Sequence, residues 1–101
     1  MIKEPVRALV LSPVDAVGVL LSAATPQEEV DVGEPEPLIA LDPIPAGHKI
    51  ALRALPAGSV VTKYGEPIGV TTVDIRAGEH VHAHNLRSAR AENSAIQAEV
   101  A

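Results

Sequence analysis

Three of the chain's four histidines fall in the run Gly78-Glu79-His80-Val81-His82-Ala83-His84-Asn85. If that run is a strand, side chains alternate between its faces, so His80, His82 and His84 project together. Imidazole binds transition metals and moves protons near neutral pH, and two imidazoles at i and i+2 reach one ion, with a carboxylate or water completing the shell. The competing reading is a row of solvated histidines on the open face of an edge strand, since no second acidic motif at ligand spacing accompanies them. A second group is Gly47-His48-Lys49-Ile50-Ala51-Leu52-Arg53. Alternation there sets His48 with Ile50 and Leu52, and Lys49 with Ala51 and Arg53. Lys49 and Arg53 could face an anion while His48 transfers a proton; alternatively His48 caps the strand and Lys49 is solvated. In Lys63-Tyr64-Gly65 a lysine beside a phenol could hold an anion, and the glycine would let it approach the backbone. The bland alternative is a hairpin whose lone aromatic plugs a small core.

The elements that must position these groups come from 101 residues, 47% of them hydrophobic, with no Phe or Trp and one Tyr. That is one domain with a thin core of Val, Leu, Ile and Ala, which either packs tightly or completes its apolar surface on a partner. A net charge of -5 without a Lys/Arg cluster argues against a nucleic-acid or anionic-membrane surface. No cysteine is present, so disulfides and thiolate chemistry are excluded. The apolar run Ala16 to Leu21 is too short for a signal core or a membrane span, and the expectation is a cytoplasmic protein.

Arg7 to Leu11 and Val17 to Leu21 read as strands, and Asp31 to Pro37 as a polar loop. Thr25-Pro26-Gln27-Glu28 reads as one capped helical turn or a loop. A pattern of apolar-x-Ala-Gly-x-x-apolar occurs at Ile44 to Ile50, Leu55 to Val61 and Ile75 to Val81. Each copy is a strand end, a glycine turn and a new strand, which predicts a mostly all-β domain of long bent hairpins. Gly65-Glu66-Pro67 is expected to turn between two strands. The domain is expected over residues 1–87, with a flexible or helical tail over 88–101.

Ile44 to Leu52, Lys63 to Gly69 and Gly78 to Asn85, in this order and spacing, resemble the SAF domain of the altronate/galactarate dehydratase family. Pro13-Val14-Asp15-Ala16-Val17-Gly18-Val19 resembles the opening motif of such domains, with Ala16 in place of the usual asparagine. The resemblance runs from about residue 9 to residue 87. It implies a β-clip fold and the small-subunit form of a metal-dependent hydro-lyase or sulfo-lyase, related to the sulfolactate sulfo-lyase small subunit and paired with a larger dehydratase subunit. The reaction would remove water from a sugar acid such as altronate, or sulfite from sulfolactate, to leave a 2-keto acid. The resemblance further implies catalytic roles for His48, His82 and His84, and substrate contacts from Lys49, Lys63, Tyr64, Gly65 and Asn85. A divalent metal, Fe2+ or Mn2+, would be held mainly by the partner, with His82 and His84 as ligands from this chain. His80 ranks below them, because the resemblance rests on the His-x-His-Asn run that follows it and the preceding Gly-Glu turn suggests exposure. A homo-oligomer stays open, as does a stand-alone SAF module that binds carbohydrate or a partner without catalysis.

Overall fold

The computed structural model describes residues 4–88, so the expected tail lies almost entirely outside the described residues. Nine strands and no helix are present among them: β1 (Val6–Leu9), β2 (Val17–Leu20), β3 (Glu29–Asp31), β4 (Leu38–Ile39), β5 (Lys49–Ala51), β6 (Val60–Lys63), β7 (Glu66–Thr71), β8 (His80–Val81) and β9 (Leu86–Ser88). One sheet runs β4-β3-β1-β2-β5-β8 and the other β6-β7-β9. β1 pairs with β3 in parallel, and the other strand pairs are antiparallel. The all-β expectation holds, with an architecture consistent with a β-clip SAF fold. Strands this short, joined by glycine turns, bend the chain back too often for a flat sheet to form.

The repeated turn has a fourth copy. Ala24 to Val30 repeats the geometry of the other three, with Gln27 at φ 74° where they carry Gly47, Gly58 and Gly78 at φ 82°, 84° and 93°. The helical turn considered for Thr25 to Glu28 is therefore corrected to a β-turn, and the missing glycine hid the repeat. Copies pair through isolated bridges, Ala24 with Ile44 and Leu55 with Ile75. In each pair the two residues exchange backbone hydrogen bonds of 2.8 to 2.9 Å.

Two cores result. Val6, Leu20, Ala24, Val30, Ala40, Ile44 and Ile50 form one, and Ala16, Val17, Ala51, Leu55, Val61, Ile75 and Val81 the other. Each fully buried Val, Leu or Ile contributes about 1.5–3 kcal/mol, and the apolar residues flanking each turn supply them. The lone aromatic is in neither core: Tyr64 sits half-buried at φ 54° in the turn between β6 and β7. That turn is Tyr64-Gly65, so the expected Gly65-Glu66-Pro67 turn is also corrected. Pro67 lies within β7 opposite Thr62, beside a register shift that leaves Ile68 as the extra residue. A bulge is where a strand tolerates proline, because no ladder donor is needed there.

Candidate functional site

The strand expected to carry three histidines ends early. β8 is only His80–Val81, after which residues 82–85 form a turn. The one-face alternation of His80, His82 and His84 is thus corrected: a turn, not a pleat, brings these rings together. Asn85 builds that turn. It is 4% exposed, its Oδ1 accepts from the His82 N–H at 2.9 Å and its Nδ2 donates to the His80 carbonyl at 2.8 Å. Both ends of the amide hold the loop.

His48 reaches the same place from another direction. Its backbone closes the second turn copy, donating to the Pro45 carbonyl at 3.1 Å and accepting from the Leu20 N–H at 2.9 Å. The β5–β8 register sets Ile50 opposite His80, so the histidine two residues before Ile50 emerges beside the end of β8. His48 Nδ1 lies 2.9 Å from His80 Nε2. The His48 and His82 rings stack at 4.4 Å between centroids, and His80 is 5.3 Å from His82 and 5.4 Å from His84. One donor atom from each of His48, His80 and His82 falls within 4.8 Å of the others. The His80 backbone is fixed from below by its N–H, which donates to Asp42 Oδ2 at 2.9 Å.

Why position 48 is free to hold a histidine follows from the turn itself. Where the first turn residue has an N–H, a glutamate three residues on accepts it: Glu28 Oε1 from the Thr25 N–H at 3.0 Å, and Glu79 Oε1 from the Arg76 N–H. Pro45 and Pro56 have no N–H to satisfy. Their partner positions are therefore released from that duty, and carry His48 and Ser59. The Pro-x-x-His spacing was legible in the sequence, though only the repeated turn explains it.

Next to the histidines is a cleft of about 300 Å³ lined by Lys49, Lys63, Ile68, His82, Ala83, Leu86 and Ser88. Lys49 begins β5 and Lys63 ends β6, so two elements deliver the two ammonium groups, while the bulge places Ile68 on the wall. Burial, and then the charge of Lys63, push the Lys49 amine below its ordinary value. A site that strips water from one cation and sets another beside it suits an anion. His82 forms part of both groups. Its imidazole is held below its ordinary pKa by lost hydration, then by His48, Lys49 and His84. His80 is lowered by burial, then by His48, His84 and His82, with Asp42 pulling the other way. Both rings therefore favour the neutral form, which can accept a proton or bind a metal.

The residues singled out from the sequence separate into groups. His48, His82, Lys49 and Lys63 converge, and His80, ranked below them from sequence, stands at the centre of the histidines. His84 is exposed at the rim. Tyr64 and Gly65 are not among the cleft-lining residues; the Lys63 ammonium lies 5.1 Å from the Tyr64 ring centroid, a weak cation–π contact. Arg53 turns away from Lys49, donating to the Asp15 carbonyl at 2.9 Å. Asp15, buried in the opening motif, anchors the hairpin: its carboxylate accepts from Gly65, Ser12 and Leu11 N–H groups at 2.9, 3.2 and 3.3 Å. Burial raises its pKa, but the backbone donors outweigh this and hold it below the usual carboxylate value.

Comparison with known proteins converges on one family. The chain is 51% identical over 53 residues to the (2R)-sulfolactate sulfo-lyase subunit alpha of Paracoccus pantotrophus, covering 52% of this chain and 79% of that one. It is 43% identical over 74 residues to the altronate dehydratase of Escherichia coli K12, covering 73% of this chain but only 15% of that protein. A second sulfolactate sulfo-lyase subunit alpha, from Chromohalobacter salexigens, is 49% identical over 49 residues, 48% of this chain and 52% of that one. Residues 6–89 match the altronate/galactarate dehydratase SAF domain, spanning all nine strands and every histidine and lysine of the site. This lyase-associated SAF domain family is the one to which the chain belongs.

Proposed function

We propose that the chain is the small subunit of a metal-dependent hydro-lyase or sulfo-lyase in the cytoplasm, completing an active site on a larger dehydratase subunit. The observation that carries this is the cleft in which Lys49 and Lys63 lie beside His82. In the reaction the bond between the α-carbon and its hydrogen breaks and its electrons form the double bond. The β-substituent leaves with its own bonding pair, as water after protonation for altronate or as sulfite for sulfolactate. The resulting enol gains a proton at carbon, loses its O–H proton to solvent, and becomes the 2-keto acid. Lys49 and Lys63 hold the carboxylate. With no ion on its ring, His82, neutral and adjacent, accepts or returns the proton, with His48 behind it; where His82 holds an ion, that role passes to His84 at the entrance. Lys63 is oriented by Tyr64 and the Gly65 turn, and Asn85 keeps His82 in place. A divalent ion, Fe2+ or Mn2+, would supply Lewis-acid activation of the α-proton when bound.

The test is to purify the chain with a candidate large subunit and follow 2-keto acid release from altronate and from (2R)-sulfolactate. Activity should require both chains, and Lys49→Ala or Lys63→Ala should raise KM by about 10-fold or more, as expected for a desolvated charge-assisted contact. Sugar-acid binding by the chain without turnover in any pairing would instead favour the noncatalytic binding module.

A further inference from the structure

The family resemblance implies a divalent metal with His82 and His84 as this chain's ligands, whereas the side chains that converge in the structure are His48, His80 and His82. Three imidazoles drawn from segments 32 residues apart converge within 4.8 Å, and the backbone that delivers each of them is fixed. His48 follows a closed turn, His80 has its N–H on Asp42, and His82 has its N–H on the buried Asn85. Nitrogen ligands sit about 2.0–2.1 Å from a divalent ion, so neighbouring ligand atoms lie roughly 3–3.4 Å apart. The 2.9 Å between His48 Nδ1 and His80 Nε2, a hydrogen bond whose shared proton an ion would displace, is already near that separation. His82, exposed and on a turn, needs to close from within 4.8 Å, a movement of about 1.4–1.8 Å at most.

We propose that His48, His80 and His82 form a three-nitrogen metal site belonging to this chain, with His84 outside it. An all-imidazole set without a carboxylate selects borderline divalent ions such as Fe2+, Co2+, Ni2+ and Zn2+ over Mg2+ and Ca2+, and suits Mn2+ poorly. Three protein ligands leave coordination positions open. Because His82 also lines the Lys49–Lys63 cleft, an anion held there lies against the metal-binding group. The metal site stands on its own geometry, whether or not the chain serves a lyase.

The experiment uses the untagged full chain, stripped with chelator and titrated with Co2+, Zn2+ and Mg2+ by calorimetry, with the visible Co2+ spectrum as a second readout. One Co2+ or Zn2+ per chain is expected, with Mg2+ at least 100-fold weaker. His48→Ala, His80→Ala and His82→Ala should each weaken Co2+ binding at least tenfold, and His84→Ala by less than twofold. Histidine side-chain NMR on the unaltered chain removes dependence on any variant that fails to fold: the signals of His48, His80 and His82 should shift with one equivalent of Zn2+, and that of His84 should not. No saturable Co2+ or Zn2+ binding, or binding that follows His82 and His84 while His48 is indifferent, overturns the proposal. Failure of the lyase assay with metal binding intact would instead count against the functional reading alone.

Discussion

Leu20, Ala24, Val30, Ala40, Ile44 and Ile50 line the first core, and at one constant offset along the chain Ala51, Leu55, Val61, Thr71, Ile75 and Val81 are buried in the second half. The backbone bonds follow the same offset. Gly47 donates to the Leu20 carbonyl and Gly78 to that of Ala51; Gln27 donates to the Ala40 carbonyl and Gly58 to that of Thr71. The two halves thus share a frame and differ in what they hang on it. Where the second half closes its turn with Glu79, the first half has His48; where it has His80, the first half has Lys49. The hairpins differ as well. β3 and β4 are separated by the six-residue stretch 32–37, whereas β6 and β7 run to the tight Tyr64-Gly65 turn and carry Lys63 to the cleft. The site forms where unlike decorations of a shared frame meet, with His48 from one half against His80 from the other. A repeated frame is constrained by its own core, so variation is tolerated mainly at turns and strand ends, where these histidines and lysines stand.

The sharpest way to break the parallel is at its matched glycines. Gly47 is exposed and a Cβ there meets nothing within 4 Å, so Gly47→Ala should cost only the positive-φ strain, about 1 kcal/mol. Gly78 is buried, and a Cβ would overlap the Ile39 carbonyl oxygen. Gly78→Ala should therefore cost about 4 kcal/mol or more, a size associated with steric overlap in a packed backbone. Equal losses in urea unfolding would show that the halves do not differ in packing as described.

Asp15 tests the contact that gives the second half its tight hairpin. Asp15→Ala should lower Tm by roughly 10 °C at pH 7, as expected when several buried backbone donors lose their acceptor. The sign of its pH dependence is fixed: a carboxylate with its pKa held below the unfolded value of about 3.8 contributes fully above that pH and loses the contribution as pH falls through the folded value. The parent should lose Tm more steeply than Asp15→Ala below about pH 4, and parallel curves would contradict the assignment.

A smaller effect is expected at Thr71, which stands where the first half has Ala40. Its Oγ1 accepts from the Ser59 N–H at 2.9 Å and donates to the Pro56 carbonyl at 2.8 Å. Thr71→Ala should cost about 1 kcal/mol in the same unfolding assay, because the backbone bonds alone suffice at Ala40. A loss above roughly 3 kcal/mol would show that the second half depends on this hydroxyl in a way the first does not.

Sequence by itself determined the strand-turn-strand grammar, since glycine at positive φ and flanking apolar residues are local properties. Three of the four turn copies were legible on those grounds, and the family from its linked motifs; that Lys49 and Lys63 line one cleft was not, because two separate strands deliver them. Gln27 hid the fourth copy because glutamine rarely announces a positive φ. Only the tertiary structure decided that His80 belongs at the centre, because its partner His48 is brought to 2.9 Å by the β5–β8 register and no local pattern encodes that pairing. Asn85 was likewise readable as a polar neighbour of the histidines, but its burial, and so its role in holding the loop, depends on what packs around it. Local conformation is written residue by residue, whereas the meeting of two side chains depends on every element between them.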